Sequence, residues 1–400
     1  MAEDRAGPNP ESDLLALIGA GPVPFPARDP RDFAAWHRPR KQYVRTHQWA
    51  RELLFLARDL KLDGGELRYL TLPGPDLLDV RHLHDTVCKS RKITLRYLGF
   101  NRAARAADED QPVLNSAEFS ITRLPHVDRE SRVVAGDFCD IGDERTDSWL
   151  QVRRSRTFHA INLDLCGGFA GRSKSPGVPS HFTALHWLLQ TQSAASQDFL
   201  LFITTRMDPD SVDDATRALL DSLIHRIHGT CAGYADAVNT AWGSSGESTG
   251  ACPAAALDPP VGFMLGLTQW IVACGIRHGL RASVRSFMSY RTGTGTGDDD
   301  IVSIAIRFKP DPVLADDPAG LAQPLREPAP PEEKECVQST PVPAKVKQRV
   351  LVDEVLRTDA AAFDQCLKES LALLGASGYD EAAYQEWVES EGHLYARPET

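Results

Sequence analysis

The chain has 400 residues, of which 42% are hydrophobic and 25% charged, with a net charge of −11 and a pI near 5.6. That balance suits a soluble globular protein too long for one ordinary core, and it excludes a broadly basic nucleic-acid-binding surface while allowing a local basic cleft. No charge-free apolar run of about 18 residues is expected, and the acidic, Pro-rich start lacks a secretory pattern, so a cytoplasmic protein with no membrane contact is predicted.

Eight cysteines are scattered without a CxxC pair or zinc-finger spacing. They read as reduced thiols with no structural metal. His181 and His186 are five apart, a poor spacing for joint coordination, so no metal site is predicted.

Residues 1–31 are rich in Pro, Gly and Asp and read as a mobile lead-in. From Asp32 to about Leu62, Val44, Leu53, Leu54, Leu56 and Leu60 share a helical stripe that Gly64-Gly65 ends. Leu67–Leu72 is a first strand, Pro73-Gly74-Pro75 a turn, and Asp76 a cap for the next helix. Ile93–Leu98 is a second strand, Ser116–Arg123 a helix and Arg132–Ala135 a third strand.

The fourth strand ends in Asn162-Leu163-Asp164-Leu165-Cys166-Gly167-Gly168. An apolar run ending in Asn, Asp and paired glycines is how a buried strand delivers a carboxylate to a ligand crevice. Helix His181–Thr191 leads to a fifth strand at Phe199–Thr204, followed by helices at Asp213–Ile227 and Phe263–His278. Ala282–Tyr290 and Ile301–Phe308 read as an antiparallel hairpin at the sheet edge. Residues 310–345 are Pro- and acid-rich and read as a linker; residues 346–400 read as a small module of short helices.

The alternation predicts an α/β fold: a doubly wound, mostly parallel sheet with an antiparallel terminal strand pair, plus the C-terminal helical module. Five β/α units followed by a strand pair resemble the class I S-adenosylmethionine-dependent methyltransferases over roughly residues 40–310. The resemblance implies S-adenosylmethionine as cofactor. It places the cofactor at the first three strand ends, among Thr71, Gly74, Asp76, Asn101, Asp137 and Phe138, with Asp137 taking the adenine amine. Where that family has an acidic residue after its second strand, this chain has Phe100-Asn101.

Asn162 and Asp164 are two apart on a strand and project to one face, where they would orient a methyl acceptor, with Asp164 an alternative general base. Arg206, ending the fifth strand, would face Asp164 across the crevice. The basic, aromatic segment containing Arg40, Lys41, Arg45 and Trp49 suits contact with a nucleic acid, which with a small molecule is the expected acceptor. Read blandly, it is a solvated helix face with Trp49 turned inward. Cys166 lies beside the expected site as a bland thiol. The rival reading is a catalytically inactive binding protein on the same fold, its C-terminal helices docking a protein partner. A nicotinamide oxidoreductase is disfavoured because no GxGxxG follows a strand.

Overall fold

The computed structural model describes residues 32–104, 110–165, 167–171, 177–243, 257–293, 297–311 and 329–391. The lead-in before Asp32, Cys166 and the first half of the expected linker lie outside the described residues. From Ala34 onward the chain forms one compact unit.

Eight strands form one sheet in the order β3-β2-β1-β4-β5-β7-β6-β8. They are β1 Glu66–Thr71, β2 Thr94–Asn101, β3 Arg132–Ala135, β4 Ala160–Asp164, β5 Phe199–Arg206, β6 Leu280–Tyr290, β7 Ile301–Pro310 and β8 Val350–Leu351. The first five are parallel. β7 runs antiparallel to both β5 and β6, and the two-residue β8 adds parallel to β6. The predicted hairpin therefore exists, but β7 is an interior strand rather than an edge. β5 is buried at every position but its last, which a strand can tolerate only when both faces are covered.

Strand parity divides the interior. Ile161 and Leu163 of β4 and Leu201 and Ile203 of β5 join a large apolar cluster with helices His181–Gln192, Asp214–Thr230 and Pro259–Arg277. On the even positions, Trp49 of the N-terminal helix lies 6.4 Å from Phe202 of β5, ring to ring. That helix winds as Pro39–Val44, a wider π segment Arg45–Ala50, and Arg51–Asp59. Its expected stop is present: Lys61 and Gly64 both take positive φ.

Three expectations need correction. The helix expected at Phe263–His278 runs Pro259–Arg277, 19 residues long and apolar enough to cross a membrane by length and composition, so the expectation of no charge-free apolar run of about 18 residues fails. Two-thirds of it is buried within the fold, which marks it as a core helix. A Cβ at Gly266 would meet Leu220, and one at Gly275 would meet Phe308, each at 2.7 Å, so glycine permits the close packing. Second, helices Pro331–Ser339 and Val342–Lys347 occupy the latter part of the expected linker. Glu335 there accepts from Arg226 and Gln269 at 2.5 and 2.6 Å, and Gln338 accepts from the Ala282 N–H at 2.6 Å. The acidic, Pro-rich composition conceals a docked helix whose charges are satisfied by partners remote in sequence. Third, Cys231 and Cys336 form a disulfide with Cα atoms 5.4 Å apart, so the expectation of uniformly reduced thiols fails.

The disulfide spans 105 residues. In the chain-entropy account a loop of this length stabilises the fold by about 4–5 kcal/mol. Reduction should lower the melting temperature by several degrees, and Cys336→Ser should remove the effect of reductant. Absence of the linked peptide from a non-reducing digest would refute the bridge.

His159 Nδ1 accepts the Arg68 N–H at 2.9 Å. Burial and the Arg68 charge hold its imidazole down at about 4, and burial and Arg45 do the same for His82. The unfolded chain takes up these protons from about pH 6.5 downward while the folded chain refuses them until about pH 4. Stability should therefore fall as pH drops through that window. His159→Asn, which keeps an acceptor without titrating, should lose less between pH 7 and 4.5 in urea unfolding; an equal loss removes His159 from the account.

Candidate functional site

The parallel strand order reverses between β1 and β4, and it is at the carboxyl ends of such a pair that open α/β sheets have their ligand crevice. Four polar side chains from these strands and the following helix meet there. Asn162 Nδ2 donates to Tyr69 Oη at 2.9 Å, Tyr69 donates to Asp79 Oδ2 at 3.0 Å, and Thr71 donates to the same oxygen at 2.5 Å. All four residues are buried, and burial raises the Asp79 carboxyl above its usual range. The backbone brings Asp79 in because helix Leu78–Leu83 begins abruptly after Leu77, held at φ 49°.

The N-terminal helix closes the crevice from above. Lys41 Nζ donates to Asp164 Oδ1 at 2.5 Å and lies 3.4 Å from the Tyr290 hydroxyl and 4.7 Å from the centre of the Trp49 ring. Burial alone would lower the Lys41 ammonium, but Asp164 and Tyr290 outweigh it and hold the amine charged. Arg45 is also buried, and burial lowers its guanidinium against the pull of Asp164 and Asp79. Asp164 is the more accessible member of the pair, its side chain 24% exposed against 4% for Lys41. Among the described residues, Asn162 Oδ1 and Arg45 Nε are buried here without hydrogen-bond partners.

Asn162 and Asp164 thus share a face, as their spacing requires. The expected partner of Asp164 does not: Arg206 pairs with Asp300 at 3.3 Å and Asp208 at 3.5 Å, and Lys41 takes its place. The basic run is a buried face, not a solvent-facing one. Arg40 pairs with Asp353 at 3.0 Å, and Trp49 donates to Ser303 Oγ at 3.3 Å. Arg40, Lys41, Arg45 and Trp49 are each 5% exposed or less. A charge run gives no sign of burial when its counter-ions come from strand ends and a C-terminal helix hundreds of residues away.

The positions expected to hold the cofactor are engaged within the chain. Thr71 is spent on Asp79. A Cβ on Gly74 would meet nothing within 4 Å, so no neighbouring protein atom among the described residues requires a glycine there. Asp76 accepts from the Tyr379 hydroxyl at 2.7 Å, and Asn101 donates to the Pro73 carbonyl at 2.7 Å. Asp137 pairs with Arg102 and caps the short helix Phe138–Gly142 by accepting from the Cys139 N–H at 3.0 Å. The buried Phe138 ring stacks on His181. The paired glycines after β4 have a packing reason at Gly168, where a Cβ would lie 2.3 Å from the Ser211 carbonyl oxygen.

The C-terminal helices complete the closure. Thr46 donates to Glu369 of helix Ala360–Gly375 at 2.6 Å, and Tyr384 of helix Glu381–Ser390 donates to the His37 carbonyl at 2.6 Å. Tyr69, Asp79, Tyr290 and Tyr379 escaped the sequence reading as site residues. The signal available was weak: Tyr69 and Thr71 share strand parity, and Asp79 opens the next helix.

Removing one partner of a buried ion pair typically costs about 3–5 kcal/mol. Lys41→Met should show a loss in that range by urea unfolding, largely restored by adding Asp164→Leu. A single-variant loss below about 1 kcal/mol would mean the pair behaves as a surface contact.

No curated protein matches the chain. A family model described as PP_RS20740-like matches residues 30–389, a span that takes in the sheet, the buried basic helix and the C-terminal helices that seal the crevice. The chain belongs to the PP_RS20740-like family.

Proposed function

We propose that this protein is a binding protein built on a methyltransferase-like, doubly wound core, and that it does not transfer methyl groups. The observation that carries this reading is the engagement of Thr71, Asp76, Asn101 and Asp137 by Asp79, Tyr379, Pro73 and Arg102. A cofactor's ribose and adenine would have to displace these bonds, and β2 ends in Phe100-Asn101 rather than in an acidic residue that could replace them. S-adenosylmethionine therefore fits this residue set poorly. The five parallel strands, the reversal at β1 and β4, and the antiparallel pair support the architecture. The ligand favoured by the crevice is small and polar, with a donor for Asn162 Oδ1 and an acceptor for Arg45 Nε, since buried polar atoms are ordinarily satisfied. The burial of Arg40, Lys41 and Arg45 removes the support that the basic run lent to a nucleic-acid partner.

The second reading is an active methyltransferase, favoured by Asn162 and Asp164 lying on one face with Asp164 within reach of solvent. Thermal unfolding with millimolar S-adenosylmethionine or S-adenosylhomocysteine separates the two. Our reading expects no shift. A ligand present at about 100 times its dissociation constant would stabilise the fold by roughly 2.7 kcal/mol, a shift of several degrees. Such a shift, abolished by Asp137→Ala, would overturn our reading in favour of the transferase.

A further inference from the structure

We infer that His186, Cys274 and His278 form a binding site for a divalent transition-metal ion of borderline softness, with zinc as the reference ion. His186 lies on helix His181–Gln192; Cys274 and His278 close the last turn of helix Pro259–Arg277 and its cap. The two C-terminal ligands are four apart and so share a helix face. Among the described residues, the ligand atoms of the three lie within 4.8 Å of one another. His278 Nε2 is 3.3 Å from His186 Nδ1, and Cys274 Sγ is 3.4 Å from the same nitrogen.

These separations match a shared ion. With zinc–nitrogen bonds of about 2.0–2.1 Å and zinc–sulfur bonds of about 2.3 Å, a tetrahedral centre sets its nitrogens about 3.3 Å apart and nitrogen from sulfur about 3.6 Å. Hydrogen bonding alone satisfies the trio badly. His186 Nδ1 carries either one lone pair or one hydrogen, and both neighbours compete for it. An ion uses a lone pair from each. Two imidazoles and one thiolate are a donor set for zinc, cobalt or copper rather than magnesium or calcium. Cys274 is buried while both histidines are partly exposed, so three protein ligands would hold the ion from one side. The fourth position would be left to water, the arrangement typical of reactive rather than structural zinc. None of the three residues belongs to the crevice between β1 and β4, so the site stands whether or not that crevice binds a ligand. Asp137, Cys139 and His181 also cluster, but the Asp137 carboxylate is already taken by Arg102 and the Cys139 N–H.

Cobalt(II) titration of the full chain tests the site, because a cobalt–thiolate bond has a charge-transfer band and tetrahedral cobalt has intense visible bands. One equivalent should develop both, and zinc should bleach them. Cys274→Ser should lose the charge-transfer band, and His186→Gln and His278→Gln should each weaken binding by about tenfold or more, the loss caused even by outer partners of a metal. Absence of the charge-transfer band in the unaltered protein overturns the proposal whatever the variants do. A band that survives Cys274→Ser and disappears in Cys139→Ser overturns it too, by moving the ion to the other cluster.

Discussion

Burial of positive charge at the carboxyl edge of the sheet is the constraint on which the rest of the structure turns. Lys41 and Arg45 sit under the N-terminal helix, out of water, where an unpaired charge is not tolerated. Asp164 and Asp79 answer them, so β4 and the helix that follows β1 must deliver carboxylates to the same place. Arg40 has the same demand and meets it with Asp353, at the start of helix Val352–Thr358. The sheet and a C-terminal helix are therefore both tied to the N-terminal helix through its charges.

This pairing explains why the terminal elements belong to the fold rather than decorating it. The N-terminal helix covers the even positions of the sheet, and the C-terminal helices cover it in turn, Glu369 bonding Thr46 and Tyr384 the His37 carbonyl just ahead of the helix, while Tyr379 reaches Asp76 in the turn after β1. Here Thr71, Asp76 and Asp137 are matched by the side chains of Asp79, Tyr379 and Arg102, and Asn101 by the Pro73 carbonyl, the observation on which our proposal of binding over transfer rests.

Much of the architecture was legible because its causes are local. Apolar runs bounded by Gly, Pro and Asp marked β1 to β5 to within a few residues, and strand parity alone put Asn162 and Asp164 on one face. The antiparallel pair followed from its Gly-rich connection. What escaped was set by contacts between distant segments. The helix at Pro331–Ser339 reads as linker because its stabilising partners, Arg226, Gln269 and Cys231, are more than 60 residues away. The trio of His186, Cys274 and His278 was hidden for the same reason: His186 was weighed only against its own helix neighbour. The basic run misled because composition reports charge, and only the fold decides whether charge faces water.

The bond between Cys231 and Cys336 makes a closed covalent ring out of the segment that carries β6, β7 and helix Pro259–Arg277. Any single cut in the backbone between those two cysteines leaves the pieces joined as one molecule. The interior strand β7, which the sheet cannot lose without exposing β5, is thus fastened both by its hydrogen bonds and by the connectivity of the ring.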